Sequence, residues 1–156
     1  MVMGSGTPVD TDALLAAVST FESRLGQIVH EIRYRNSQVG SFETVPTTPR
    51  EARITVAPGI TQPGGYFDIQ WWVNGDYKYH YREQGLEFRF GREADNAETD
   101  QPIRHFHPPR DLDQHRSSCI DVSQQPELVS IAVGTTWLVA VKDNDPSRLN
   151  DQNNLP

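Results

Sequence analysis

Near the N-terminus, Leu14, Val18, Phe21 and Leu25 recur at helical spacing with Leu15 beside them. One buried stripe and a side-chain oxygen at Asp10 or Thr11 to accept the first free amides predict a helix over 11–26. In Gln27–Tyr34, Ile28 and Ile32 suit a strand better than more helix. Residues 36–51, with Ser, Thr, Gly and prolines, read as a loop, and Arg53–Val56 as a short strand ended by Pro58-Gly59. The strongest β signal follows. Phe67, Ile69, Trp71 and Val73 alternate with polar residues and Trp72; Tyr77, Tyr79 and Tyr81 with Lys78, His80 and Arg82; Leu86, Phe88 and Phe90 with Glu87 and Arg89.

Parity sets the register of this meander, because a slip of one residue moves every side chain to the other face. Joining the aromatic sets across Asn74-Gly75 calls for a three-residue loop with Gly75 in the left-handed conformation. Across Arg82–Gly85 the loop needs an even number of residues, which sets His80 opposite Glu87 and Lys78 opposite Arg89. The apolar face then carries Phe67, Ile69, Trp71, Val73, the tyrosines, Leu86, Phe88 and Phe90, and the N-terminal helix covers it. The other face carries Gln70, Trp72, Lys78, His80, Arg82, Glu87 and Arg89.

Residues 91–101 read as a polar loop and Ser118–Val122 as a short extended stretch. Ser123–Glu127 resembles a helix start with Pro126 in the first turn. Leu128, Ile131, Leu138 and Val141 then keep helical spacing, while Gly134 and the β-branched residues leave a hairpin over 128–142 open. The expected class is α+β: an N-terminal helix, an antiparallel meander of four to five strands and a C-terminal helix. The expected organisation is a flexible N-terminus over 1–10, a single domain over 11–142 and a polar tail over 143–156.

The chain has 156 residues, enough for one core, and a net charge of -7. Lys78 and Lys142 are its only lysines, a composition expected of a halophilic, archaeal protein. A negative surface repels nucleic acid, so RNA-directed activity has to come from a local groove. The single cysteine, Cys119, and the lack of a signal-like start or a long apolar run lead to a cytoplasmic expectation with no membrane contact.

Ile103–Asp111 is the first candidate site. In an extended chain His105 and His107 point to one side and Phe106 to the other, and Pro108-Pro109 stops the strand. Two imidazoles on one edge suit general acid–base chemistry or metal binding, with His115 and Cys119, or carboxylates such as Asp111 or Asp113, as further ligands, although the histidine–cysteine spacing matches no standard zinc motif. No cofactor is expected. On the polar sheet face, Arg82 and Arg89 can hold phosphate and Trp72 can stack a base, although an exposed Trp72 equally suits a homodimer surface. The chain lacks a phosphate-binding glycine loop, a Gly-x-Ser-x-Gly elbow and an HExxH motif.

Tyr77-Lys78-Tyr79-His80-Tyr81-Arg82, Glu87-Phe88-Arg89-Phe90, Asp95-Asn96-Ala97 and His105-Phe106-His107-Pro108-Pro109 follow one another in the order of the TumE-like toxin family, which this chain resembles over residues 66–142. Gly91–Ala94 separates the strand from Asp95-Asn96-Ala97, and the proline segment has two histidines where the family pattern has three. The resemblance implies a toxin of a toxin–antitoxin pair, RNA-cleaving, with a helix-turn-helix antitoxin as partner. It puts His80, Arg89, Asp95, Asn96, His105 and His107 at stake. The leading expectation is a metal-independent ribonuclease with catalytic His105, His107, His80 and Arg89, and with Trp72, Arg82, Arg110, Asp95 and Asn96 binding substrate. The alternatives are a non-catalytic protein-binding module and a metal protein using His105 and His107.

Overall fold

A computed structural model describes residues 7–37, 39–122 and 125–152. Helix α1 spans Thr11–Leu25, and the Asp10 carboxylate accepts from the Ala13 amide as its N-cap. Eight strands follow: β1 (Val29–Arg35), β2 (Phe42–Glu43), β3 (Glu51–Val56), β4 (Gly65–Trp71), β5 (Tyr77–Glu83), β6 (Leu86–Arg92), β7 (Arg104–His107) and β8 (Arg116–Ser117). Helix α2 spans Pro126–Asp143, which resolves the choice between helix and hairpin. The expected helix start at Ser123 lies outside the described residues, as do residues 1–6 and 153–156 of the two expected termini.

The strands form one antiparallel sheet in the order β2-β1-β3-β4-β5-β6-β7-β8. The α+β class holds, with more strands than the four to five expected. The added pairings come from short segments: β2 and β8 have two residues each and β7 has four. Such lengths carry almost no period-2 signal of their own.

Both helices lie on the aromatic side. Phe21 of α1 meets Phe67 edge-on at 4.8 Å, and Trp137 of α2 meets Phe67 and Tyr81 at 5.7 and 5.8 Å. A buried relay ties the layers together. Trp71 Nε1 donates to the Tyr79 hydroxyl (3.2 Å), which lies 2.6 Å from Ser130 Oγ, and Ser130 donates to the Ala17 carbonyl (2.8 Å). Ser130 has one proton and gives it to Ala17, so Tyr79 is the donor to Ser130. The stretch after α2 also joins the core: Leu149 is fully buried, and Asn150 bonds the Cys119 amide and the Ser117 carbonyl. Among the described residues no helix is long and apolar enough to cross a membrane.

Two details depart from the expected register. The β4–β5 pairing sets Trp71 opposite Tyr77, with Gly75 at φ 89° in the turn, as the parity argument requires. Val73, however, belongs to the turn and is 56 % exposed, while Trp72 is only 6 % exposed and bridges to Val9. Trp72 therefore leaves the polar face and offers neither a stacking surface nor a dimer contact. The β5–β6 hairpin closes through a two-residue turn, Gln84-Gly85, with Gly85 at φ 81°. This shifts the ladder by two residues: His80 pairs with Arg89 instead of Glu87, and Lys78 with Gly91 instead of Arg89. The shift preserves face and parity, which is why the pattern alone did not fix it.

Candidate active site on the open sheet face

The helices cover one side of the sheet, and the alternation of the strands sends the polar residues to the other. Register turns them into a row. Arg53 on β3 pairs with Asp68 on β4, Asp68 with His80 on β5, His80 with Arg89 on β6, and Arg89 with His107 on β7. A parallel row holds Gln70, Lys78, Gly91, His105 and Ser117. Three strands thus bring His80, Arg89, His105 and His107 to one surface.

The histidine segment is extended as expected, with Phe106 in the core and both imidazoles on the opposite side. Neither ring is solvated: His105 is 1 % exposed, His107 4 % and His80 7 %. His115, from the loop before β8, closes a cluster with ring centroids 4.5 Å from His107 and 5.7 Å from His105, which are themselves 4.8 Å apart. The third histidine missing from the proline segment is thus supplied eight residues beyond His107.

A carbonyl partner fixes the His107 tautomer. His107 Nδ1 lies 2.6 Å from the Leu112 carbonyl and His105 Nδ1 lies 3.2 Å from the Ile103 carbonyl. A carbonyl only accepts, so His107 Nδ1 carries the proton and its Nε2 keeps its lone pair, while His105 Nδ1 faces both a carbonyl and the Asn96 amide. Asn96, in the 3-10 turn Ala94–Thr99, donates to the Pro102 carbonyl and rests 3.3 Å from His105 Nδ1, buttressing that ring. His80 Nε2 accepts from Arg82 Nε at 3.4 Å.

Burial sets the protonation of all three rings. His80, His105 and His107 are each pushed down to about 4, mainly by desolvation. Arg82 and Arg89 add to the shift at His80, Arg89 and His105 at His107, and His115 and Arg89 at His105. At neutral pH these imidazoles carry no charge. The Glu87 carboxylate 3.4 Å from His80 Nε2 is therefore a contact and not an ion pair. Burial also lowers Arg89 and Lys78. Buried Arg89 Nε has no hydrogen-bond partner, so a guanidinium stands among neutral rings with part of its donor capacity unused. An anion would satisfy it.

The other expected residues divide. Arg82, half-exposed and 3.1 Å from Glu87, borders His80. Asp95 lines a small pocket with Asn96 and His115. Arg110 is exposed in the turn after Pro108-Pro109, and Trp72 is buried and bridges to Val9. Cys119 turns to the Leu149 carbonyl, away from the rings, and burial raises its thiol pKa. Among the described residues no group of three or more His, Cys, Asp or Glu is arranged to hold a metal ion. Sequence reasoning left out Asp68, which grips Arg53 at 2.8 and 3.0 Å, and did not carry His115 into the site. The alternation of β4 signalled Asp68; nothing local placed His115 beside the other rings.

A family model for the toxin TumE matches residues 27–133, from the turn before β1 into α2. No curated protein matches the chain, and no solved structure does. With more than half of its length matched, the chain belongs to the TumE toxin family and is the toxin component of a toxin–antitoxin system.

Proposed function

We propose that this toxin cleaves single-stranded RNA in the cytoplasm without a metal ion, seating a phosphodiester on Arg89 between His80 and the His105/His107 pair. One observation carries the reading: a half-buried guanidinium whose buried Nε has no hydrogen-bond partner, flanked in register by imidazoles on both neighbouring strands. Transfer of a ribose 2′-oxygen to phosphorus places the entering and departing oxygens on opposite sides of the phosphate. A base and an acid are then needed on opposite sides as well. Adjacent strands lie about 4.8 Å apart, so the rings on β5 and β7 stand about 9.6 Å apart across Arg89, room for a phosphate between them.

One Nε2 lone pair takes the 2′-hydroxyl proton as the 2′-oxygen attacks. The P–O5′ bond breaks and the departing oxygen receives a proton from the opposite ring. Arg89 stabilises the charge that builds on the phosphoryl oxygens. The products are a 2′,3′-cyclic phosphate and a 5′-hydroxyl. The ring that acts as acid has to be charged, and a bound phosphate favours that form: it offsets the Arg89 field that adds to the effect of burial, and its own negative charge attracts the imidazolium. His115 and Asn96 position the pair. A helix-turn-helix antitoxin that covers this face would silence the toxin.

Expression of the wild type beside His105→Ala, His107→Ala, His80→Ala and Arg89→Met, with growth and RNA integrity followed, tests the reading. Growth arrest with RNA loss in the wild type and relief in the variants is expected. Equal arrest by folded variants would leave a protein-binding face in its place.

A further inference from the structure

Beside the histidine row lies an open groove of about 980 Å³ that the acid–base chemistry does not use. Its walls include Thr55 of β3, Tyr66 of β4, Arg82 of β5, Glu87 of β6 and Pro109. Tyr66, Arg82 and Glu87 form the cross-strand row next to Asp68, His80 and Arg89. The groove therefore starts two residues along each strand from the proposed phosphate seat, about 6.6 Å away. That is the reach of one nucleotide.

The groove is preorganised. Buried Glu83 accepts from the Ile60 amide (2.7 Å), the Thr61 amide (2.9 Å), the Thr61 hydroxyl (2.7 Å) and the Tyr81 hydroxyl (2.7 Å), which fixes the loop behind the wall. A Cβ at Gly65 would collide with the Tyr81 hydroxyl and the Arg82 carbonyl, so only glycine keeps this wall in place. Arg53, gripped by Asp68, lies 4.3 Å over the Tyr66 ring and holds it still. The Tyr66 ring, Leu86, Pro63 and Pro109 contribute apolar surface, and a half-exposed guanidinium, a carboxylate and a hydroxyl contribute polar groups. A nucleobase, with apolar faces and a polar rim, matches this surface.

We infer that this groove binds the unstacked nucleotide adjoining the scissile phosphate, so that the substrate is RNA with a single-stranded step at the cut. The inference rests on the proposed cleavage reading but is tested without cleavage. In a His107→Ala background, affinity for a fluorescent single-stranded RNA pentamer is measured by anisotropy. The comparisons are the same sequence as a duplex, and the added substitutions Tyr66→Leu and Pro109→Glu, with folding checked by circular dichroism. The single strand is expected to bind at least tenfold tighter than the duplex, and each groove substitution to weaken it roughly tenfold. Groove variants that bind as tightly as their parent, or that lose antitoxin capture while keeping RNA affinity, overturn the inference. Failure of the cleavage reading shows separately, as intact RNA with the wild type.

Discussion

Arg89 stands directly across the β6–β7 ladder from His107, and its buried Nε has no hydrogen-bond partner. This pairing contributes little to stability, because a cation half removed from water beside a neutral ring lacks compensation. Replacement by Met is expected to leave stability within about 1 kcal/mol of wild type or above it, since a desolvated charge is removed. RNA cleavage is expected to fall about 10²–10³-fold, as when an oxyanion donor is lost. Urea unfolding and a cleavage assay read the two effects. A loss of stability matching the loss of activity would make Arg89 a structural residue.

The imidazoles offer a direct electrostatic test. In the free protein His80, His105 and His107 should titrate near 4, well below the ordinary 6.5. Inorganic phosphate at saturation should move the midpoints up, because it offsets the Arg89 charge. Proton NMR of the ring Cε1–H signals gives the midpoints. Midpoints near 6.5 in the free protein would contradict the buried site.

The same shifts predict acid sensitivity. Each folded-state value lies below that of the unfolded chain, so between pH 6.5 and about 4 the unfolded chain holds more protons. Stability therefore falls as pH drops through that window and the histidine contribution levels off below it. The loss is on the order of 3 kcal/mol per ring at the acid limit. Glu51 and Glu93, raised chiefly by burial, act in the opposite sense. His107→Gln should flatten the pH dependence of the urea midpoint; an unchanged slope would count against a buried, neutral His107.

Much of this face was legible in the sequence because alternation and parity are strong constraints. The strict period of Phe67–Trp71, Tyr77–Tyr81 and Phe88–Phe90 assigned a face to Asp68, His80 and Arg89, and the His-Phe-His triplet did the same for β7. Register was less legible. A turn of two residues or four keeps parity, so His80 could be set against Glu87 or Arg89, and the tight Gln84-Gly85 turn selects Arg89. Trp72 misled because alternation was carried past the end of β4, where the chain turns and the buried tryptophan pairs with Val9. His115 joins through a loop, and loops carry no periodicity.

The polar relay through the core is a check on the fold itself. Ser130→Ala removes the acceptor of the Tyr79 proton and the donor to Ala17 in a fully buried place. A cost of about 1–3 kcal/mol is expected, without change in the histidine midpoints. Thermal or urea unfolding measures it, and a neutral effect would argue against the relay.

The central claim is that the row His80–Arg89–His107 performs RNA transesterification. Its most direct test incubates purified toxin with a single-stranded RNA oligonucleotide in excess EDTA, beside the same oligonucleotide carrying 2′-deoxyribose at the cut. The account predicts a 2′,3′-cyclic phosphate product from the RNA, none from the deoxy-substituted strand, and none from either with His107→Ala. Cleavage that stops in EDTA, or that proceeds equally on the deoxy-substituted strand, would contradict it.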